Sequence, residues 1–197
     1  MSKGEQTHQM IVERAASVFS RQGYFGSSLH DLMQETGLEK GGIYNHFHSK
    51  DELALEAFDY AIKLTWSYIE REVSGKTHAP DRLHAMLLGY RRLMEELPLP
   101  GGCPLLNTAI EADDAHPALR QRARQAMTNW RTWIQRNVAR GIAAGEIRPE
   151  TDGDLLATII ISTVEGAVMM SKLYDDSTHI QRAVDYLATY LDTTVRL

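Results

Sequence analysis

The sequence is poor in cysteine, with one residue in a chain of 197. A single cysteine cannot form a disulfide within the chain, so nothing here indicates an oxidising compartment. Residues 1–5 are polar, and no apolar segment of the kind found in secretory signal peptides follows them. We therefore expect a cytoplasmic protein.

Long hydrophobic runs are also absent. The most apolar stretch, residues 155–170, is interrupted by Thr158, Ser162, Thr163 and Glu165. A membrane-spanning helix needs about 20 consecutive, predominantly apolar residues. This stretch is accordingly too polar for a span, and we expect no membrane partner.

The signatures of common enzyme classes are missing as well. The sequence contains no nucleophile elbow, phosphate-binding loop, dinucleotide fingerprint or paired metal-ligand motif. His46 and His48 alone are too sparse for a metal site. We therefore expect no catalytic residue, no cofactor and no metal, although an enzyme and a helical carrier or partner-binding module remain as alternatives.

Helical periodicity dominates the chain, and no stretch keeps the strict alternation of a half-buried strand. About 43% hydrophobic and 24% charged residues is a globular composition. These features predict an all-α protein of about nine helices. The predicted helices cover residues 5–22, 28–36, 39–47, 49–73, 80–98, 104–111, 117–141, 152–174 and 178–196.

Cap and stop signals support several of these boundaries. Gly23 is a predicted stop for the first helix, and Ser27 or Ser28 is a predicted cap for the second. Ser49 with Glu52 matches a capping box, as does Thr178 with Gln181. Residues 98–104 form the clearest predicted loop because they contain three prolines and two glycines.

The second and third predicted helices are short and are joined by a few residues around a glycine, which is the outline of a helix-turn-helix. The surrounding residues are more specific. Ile11, Ala15, Val18 and Phe19 precede a Gly-Tyr pair, and residues 37–53 read GLEKGGIYNHFHSKDEL. This stretch resembles the tetracycline-repressor (TetR/AcrR) family of transcriptional regulators.

The resemblance implies two domains: a DNA-binding domain over residues 1–48, with its helix-turn-helix at about 28–47, and a ligand-binding and dimerisation domain over residues 49–197. Positions that match Tyr44, His46 and Lys50 resemble phosphate contacts, as do the helix-terminal groups of two serines. The implied DNA-binding residues are Ser27, Ser28, Lys40, Gly41, Gly42, Tyr44, Asn45, His46 and Lys50.

The chemistry of these residues agrees with DNA binding. Asn45 is able to bond adenine in a bidentate way, and Lys40 is able to reach guanine. Gly42 departs from the family pattern, which often has Thr, Ser or Asn there, so base readout is expected to depend more on Lys40, Tyr44 and Asn45. Ile43 and Phe47, four residues apart, are predicted to face a small core.

The resemblance also implies a homodimer through helices 152–174 and 178–196, a double-stranded palindromic operator and a small-molecule effector that releases it. A largely apolar or electrophilic effector fits the candidate lining, although each of these residues is also suited to an ordinary core. The candidates are Trp66, Met86, Tyr90, Met94, Cys103, Asn107, Glu111, Met127, Trp130, Trp133, Glu165 and Met169.

Two of these candidates leave alternatives open. Glu165 lies within an apolar helix, so it either meets a partner inside the protein or faces outward. Cys103 resembles a position that senses electrophiles in one branch of the family, but a lone cysteine is more often a small packed residue.

Charge raises one further question. Between His116 and Gly145 lie six arginines and no acidic residue. Such a run suggests nucleic-acid binding, but a solvated helix face that pairs with acidic neighbours is the favoured interpretation, because Ala123, Trp130 and Ile134 supply a buried stripe.

The formal net charge of −5 argues mildly against nucleic acid when the chain is taken whole. Residues 1–50, however, contain five of the 21 Lys and Arg residues and five of the 26 Asp and Glu residues. The acidic excess therefore belongs to the remainder of the chain, and it does not argue against a DNA-binding amino-terminal segment.

Overall fold

The computed structural model describes residues 2–96 and 99–197, and within these ranges it contains nine α-helices and no β-strand. The prediction of an all-α protein is confirmed. The helices are α1 Lys3–Gly26, α2 Leu29–Thr36, α3 Lys40–Tyr44, α4 Lys50–Val73, α5 Ala79–Glu96, α6 Pro104–Glu111, α7 Pro117–Ala143, α8 Gly153–Tyr174 and α9 Thr178–Tyr190. A short π-helical segment, Leu191–Val195, continues α9.

The chain forms two compact units, which do not coincide with the predicted division at residue 48. The first unit comprises Met1–Leu64 and Leu99–Ala126, and the second comprises Thr65–Pro98 and Met127–Leu197. Helices α4 and α7 each contribute residues to both units. The boundary at residue 48 stays a prediction about domains.

The core of the first unit forms around α1. Ile11, Ala15 and Val18 of this helix are fully buried, at the helical spacing that the sequence indicates. Ile43 and Phe47 pack into the same core, as predicted. The exposed face of α3 is therefore fixed by two buried side chains at and just beyond its carboxyl end.

Gly23 interrupts α1. Its φ of +75° and ψ of 170° are non-helical, although helical hydrogen bonding resumes and continues to Gly26. This conformation is essentially limited to glycine. The predicted stop at Gly23 thus marks a break in the helix, and its last residues form a separate turn.

The predicted caps have mixed outcomes. Ser28 caps α2 in a reciprocal capping box with Asp31. The Ser49 hydroxyl accepts a hydrogen bond from the Glu52 N–H, but the Glu52 carboxylate binds the N–H of His48 at 2.6 Å and not that of Ser49. The predicted Thr178–Gln181 capping box is wrong, because the N-cap of α9 is Ser177 and Thr178 is the first residue of the helix.

Helix α3 is shorter than predicted. It ends at Tyr44, and the chain then tightens: the N–H of His46 bonds the carbonyl of Ile43 at 3.0 Å, a three-residue spacing. Two adjacent glycines lower the helix propensity of this segment. Helix α5 is described as far as Glu96, and its predicted end near Pro98 lies outside the described residues.

In the second unit α8 packs against α9, and its buried side includes Ile160 and Val164. The other side of α8 is exposed in the single chain. Its exposed apolar residues are Leu155, Ile159, Met169, Met170, Leu173 and Tyr174.

Helix α8 is also long and apolar enough, by length and composition, to cross a membrane. Its polar residues therefore do not by themselves exclude a span, and the expectation of no membrane partner stays a prediction. A core helix of a soluble protein has the same length and composition, so this single helix is weak grounds for a membrane span.

Candidate nucleic-acid interface and apolar cavity

Helix α3 presents a compact set of polar side chains. Lys40, Tyr44 and Asn45 are exposed, and the Lys40 ammonium nitrogen Nζ lies 5.7 Å from the centroid of the Tyr44 ring. The helix points these groups away from the core because Ile43 is buried beneath them. An ammonium, a phenol and an amide on one exposed face match the donors and acceptors that DNA phosphates and base edges require.

The two glycines of α3 differ in their surroundings. A Cβ atom added at Gly41 would meet nothing within 4 Å, whereas one at Gly42 would lie 3.3 Å from Cβ of Leu38. The absence of a side chain at Gly41 therefore has no packing reason inside the chain. An open backbone at this position permits close approach of a partner.

His46 lies beside a second histidine from α1. The His8 and His46 ring centroids are 6.0 Å apart, and the His8 ring lies 4.5 Å from that of Phe47. His8 Nε2 is 3.5 Å from a carboxylate oxygen of Glu56. His46 is half-buried, so its ring is held by packing as well as being available at the surface.

Lys50 is engaged inside the protein. Its ammonium donates hydrogen bonds to the carbonyl oxygens of Tyr24 at 2.5 Å and Ser27 at 2.6 Å, and lies 4.3 Å from the centroid of the Tyr24 ring. Burial lowers the pKa of Lys50, and the nearby carboxylates of Glu111 and Asp51 oppose that effect. An ammonium group has three donors, so one N–H remains for an outside acceptor.

The two predicted serine contacts are also used locally. Ser27 is buried, and its hydroxyl donates to the carbonyl of Tyr24 at 2.9 Å. The Ser28 hydroxyl donates to the Asp31 carboxylate at 2.5 Å, and such hydrogen bonds lower the pKa of Asp31. These hydroxyls therefore organise the start of α2.

Glu111 has a role that the sequence did not reveal. Its carboxylate accepts hydrogen bonds from the backbone N–H groups of Tyr24 at 2.9 Å and Phe25 at 2.7 Å, just after the break at Gly23. The Tyr24 hydroxyl in turn donates to Asp51, and burial together with that contact raises the pKa of Tyr24 to about 12. Local sequence carries no signal for a contact between residues this far apart.

An apolar cavity lies within the first unit beside these contacts. Its volume is about 40 Å³, and α1, α4, α6 and α7 contribute to its wall. Its lining includes Phe19, Phe58, Asn107, Thr108 and Glu111. Of the predicted ligand-binding residues, Asn107 and Glu111 belong to this lining.

The other predicted ligand-binding residues do not line this cavity. Three of them form a packed group: the rings of Tyr90 and Trp130 stack at 4.6 Å, and Trp130 Nε1 donates to the sulfur of Met86 at 3.4 Å. Met169 is 54% exposed on α8, so it does not line an interior cavity of its own chain.

Several candidates remain without a common site. Trp66 and Trp133 are neighbours, with ring centroids 6.3 Å apart, while Met94 and Met127 are half-buried. Glu165 is 6% exposed, so of its two alternatives the buried one is correct. Cys103 is 4% exposed at the N-cap of α6.

The arginine-rich part of α7 pairs in part with acidic neighbours, as the favoured interpretation holds. Arg120 lies 3.7 Å from Asp113, Arg122 lies 2.7 Å from Asp59, and Arg131 binds Asp154. The predicted buried stripe is present, with Ala123, Trp130, Ile134 and Val138 buried and Met127 half-buried.

Two family models match the chain. One, described as "Bacterial regulatory proteins, tetR family", covers residues 11–57, and the other, "Tetracyclin repressor-like, C-terminal domain", covers residues 79–187. The first match contains the predicted helix-turn-helix.

Solved structures and a curated relative agree with these matches. A TetR transcriptional regulator from Chloroflexus aurantiacus J-10-FL is 48% identical, with a TM-score of 0.96 and coverage of 100% of both chains. A TetR-family regulator from Cytophaga hutchinsonii is 35% identical, with a TM-score of 0.89 and coverage of 100% of this chain and 98% of that one. The HTH-type transcriptional repressor DhaR from Mycobacterium sp. (strain GP1) is 26% identical over 84% of this chain and 82% of its own. These relatives are transcriptional regulators and not enzymes.

Proposed function

The chain belongs to the tetR family of bacterial regulatory proteins, and we propose that it is a homodimeric repressor whose palindromic operator is released when a small, largely apolar ligand binds. Regulators of this family bind DNA, generally respond to ligands and are typically dimers. The observation that carries the proposal is the exposed set of Lys40, Tyr44 and Asn45 on a short helix anchored by buried Ile43.

Base readout is assigned to Lys40, Tyr44 and Asn45. The open backbone at Gly41 lets the amino end of α3 approach the major groove, where amide and ammonium groups distinguish bases. Gly42 supplies no side-chain contact, and its place against Leu38 keeps α3 close to the turn that precedes it.

Phosphate binding is assigned to Tyr44, His46 and the remaining N–H of Lys50. The hydroxyls of Ser27 and Ser28 are used within the protein, and the Ser28 N–H donates to the Asp31 carboxylate at 2.7 Å, so the Ser27 N–H is the backbone donor assigned to phosphate at the start of α2. This arrangement relies on few cations, in agreement with the zero formal charge of residues 1–50.

The dimer is proposed to form through the exposed apolar face of α8 together with α9. A monomer with this face open would expose Leu155, Ile159, Met169 and Leu173 in a row along one helix. Contiguous apolar patches of this kind mark protein interfaces. A two-fold dimer also has two copies of α3, which suits a palindromic operator whose half-sites are about 34–36 Å apart.

The effector is proposed to occupy the apolar cavity of the first unit, which has a volume of about 40 Å³ and must therefore widen to admit it. Asn107, Thr108 and Glu111 offer polar contacts against walls of Phe19 and Phe58. The burial of Cys103 supports a non-covalent apolar ligand over an electrophile that reacts with this thiol, because thiolate chemistry requires access.

Release of DNA follows from the double use of Glu111. Its carboxylate lines the cavity and also holds the Tyr24 and Phe25 N–H groups, directly before the serines that begin α2. A ligand that draws the carboxylate into the cavity frees the end of α1 and shifts α2 and α3. Such a ligand needs different affinities for the two arrangements to shift their populations.

The DNA assignment is tested by gel shift on the intergenic DNA that flanks the chain's own gene, over a range of salt concentrations. Lys40→Ala is expected to weaken binding by about tenfold or more and to relax base preference. Lys63→Ala, an exposed lysine of α4 with the same change in charge, is the control and should stay within about twofold. Equal losses in both variants, or binding that ignores salt, would refute the assignment.

The effector cavity is tested separately. Compounds from a library of small apolar molecules are first selected because they raise the melting temperature of the wild-type protein. Thr108→Trp fills the cavity wall and should abolish ligand-driven release of DNA, whereas Ile110→Trp, at an exposed position of α6, should preserve it. Full release by the Thr108 variant would place the ligand elsewhere.

A further inference from the structure

Five of the six arginines of α7 fall into two groups with different surroundings. Arg120, Arg122 and Arg131 pair with aspartates. Arg136 and Arg140, by contrast, line a polar cleft in the second unit together with Arg82 of α5. We propose that this basic cleft binds a small organic polyanion, either a phosphate ester or a polycarboxylate.

The cleft is built on one face of α7. Trp133, Arg136 and Arg140 recur at spacings of three and four residues, which places them along the same side of the helix. The cleft volume is about 430 Å³. Small-molecule sites have volumes of about 300–1,000 Å³, so this space suits a metabolite-sized ligand.

The arginines of the cleft have no close acidic partner. Among the residues that the structure describes, no Asp or Glu oxygen lies within 4.0 Å of the guanidinium groups of Arg82, Arg136 or Arg140. Glu146 acts on Arg140 from farther away, but its carboxylate already binds His78 Nδ1 and the Ala79 N–H, both at 2.7 Å.

The like charges also act on one another. Burial lowers the pKa of Arg82, and the positive charge of Arg140 lowers it further. Guanidinium groups that are brought together without acidic partners raise the free energy of the empty site. A bound anion with two or more negative charges removes this repulsion, which is why we infer a polyanion and not a single carboxylate.

Two of the guanidinium groups are held in place before any ligand arrives. Arg82 Nε donates to Asn137 Oδ1 at 2.7 Å, and its guanidinium lies 5.6 Å from the centroid of the Trp133 ring. Arg140 Nη2 donates to the Thr77 carbonyl at 3.3 Å.

The buried Asn137 side chain, which accepts the hydrogen bond from Arg82, is itself fixed because its amide nitrogen donates to the Trp133 carbonyl at 2.8 Å. A guanidinium has five N–H donors, so both arginines retain donors for a ligand. Fixed donors of this kind lower the entropic cost of binding.

The proposal does not depend on the apolar effector cavity, which lies in the first unit and has different chemistry. It also accounts for Trp133, one of the predicted ligand-binding residues that the apolar cavity leaves out. The cleft would therefore give the regulator a second, chemically distinct input.

The test is isothermal titration calorimetry of the full chain at low salt with two probes, inorganic pyrophosphate and citrate. The wild-type protein is expected to bind at least one probe with a Kd at or below about 1 mM. Binding of pyrophosphate alone identifies a phosphate ester, and binding of citrate alone identifies a polycarboxylate. Binding of both supports the shared chemistry.

The double variant Arg136→Gln/Arg140→Gln should weaken binding by about tenfold or more. The control Arg120→Gln/Arg122→Gln removes the same charge from the same helix outside the cleft, and should change the Kd by no more than about twofold. Arg136→Gln alone covers the case in which the double variant does not fold, and should weaken binding at least about threefold.

Three results would overturn the proposal: no binding of either probe by the wild-type protein, equal losses in the cleft and control variants, or an unchanged Kd in the Arg136 variant.

Discussion

Replacing Gly23 with alanine tests whether the Glu111 carboxylate holds the break in α1. Gly23 has a φ of +75° and a ψ of 170°. An added Cβ would lie 2.6 Å from Oε1 and 2.7 Å from Oε2 of Glu111. The carboxylate is the end of a flexible side chain, so it will move, and it then loses its hydrogen bonds from the Tyr24 and Phe25 N–H groups.

The expected loss of stability has two parts. A non-glycine residue in this backbone region costs about 1–3 kcal/mol. A hydrogen bond to a charged group contributes about 1.5–3 kcal/mol, and we take about 0.5–1 kcal/mol for each of these two because the site is partly exposed. The sum is about 3 kcal/mol, which corresponds to a fall in Tm of roughly 6–12 °C for a chain of this length.

The assay is urea unfolding and thermal melting followed by far-UV circular dichroism, with Gly37→Ala as the control. Gly37 has a φ of +70°, and a Cβ there would meet nothing within 4 Å. Its alanine variant should lose only the backbone part, about 1 kcal/mol.

A double-mutant cycle with Glu111→Ala isolates the bridge, by which we mean the two hydrogen bonds from the Tyr24 and Phe25 N–H groups to the Glu111 carboxylate. Because the bridge is lost only once, the double variant should be more stable than the sum of the single changes indicates, by about 1–2 kcal/mol. The reasoning is refuted if Gly23→Ala costs no more than Gly37→Ala, or if the two single changes simply add.

Three further predictions concern the interface, a buried cation and an acidic cap. Leu173→Glu should convert the proposed dimer to monomers in analytical ultracentrifugation. Ile110→Glu, at a residue that is 70% exposed against 73% for Leu173, should leave the dimer intact. If both variants remain dimeric, the interface lies elsewhere. Lys50→Met should lower the free energy of unfolding, measured in urea, by about 1–3 kcal/mol because two carbonyls lose their donor. The control Lys63→Met should change it by less than about 0.5 kcal/mol. Equal effects would contradict the role of Lys50 as a donor inside the protein. Hydrogen bonds from Ser28 lower the pKa of Asp31 from 3.8, so the stabilisation by its carboxylate is present above pH 3.8 and is lost as the pH falls through the lower folded-state pKa. The difference in urea midpoint between wild type and Asp31→Asn should therefore shrink between pH 6 and pH 2. A constant difference would show that the charge of Asp31 does not contribute to stability.

The sequence predicted those parts of the fold that depend on local patterns. Apolar spacing placed the helices to within a few residues, and the four-residue interval between Ile43 and Phe47 correctly indicated two buried side chains. Ser28 capped α2 as its position suggested. These features are local because periodicity and capping act over one or two helical turns.

Contacts between distant residues were not predictable in this way. The bridge from Glu111 to Tyr24 and the use of Lys50 by carbonyls of α1 both depend on how the helices pack. For the same reason the sequence did not indicate which of the candidate ligand-binding residues share a cavity: Asn107 and Glu111 line the apolar cavity, and the ligand-binding assignment stays a prediction. Even the local Thr178 signal failed, because Ser177 occupies the N-cap position.

The residues in and around α3 that face the solvent differ from those that hold the helices together, and this difference has a consequence for engineering. Lys40, Tyr44 and Asn45 are exposed, and buried Ile43 anchors the helix that carries them. Lys50, by contrast, donates to the Ser27 carbonyl and so joins the end of α1 to the start of α4. A library designed to retarget the protein to a new DNA sequence should randomise the first group and leave the second unchanged. Variation would then be confined to specificity, and most members of the library would remain folded.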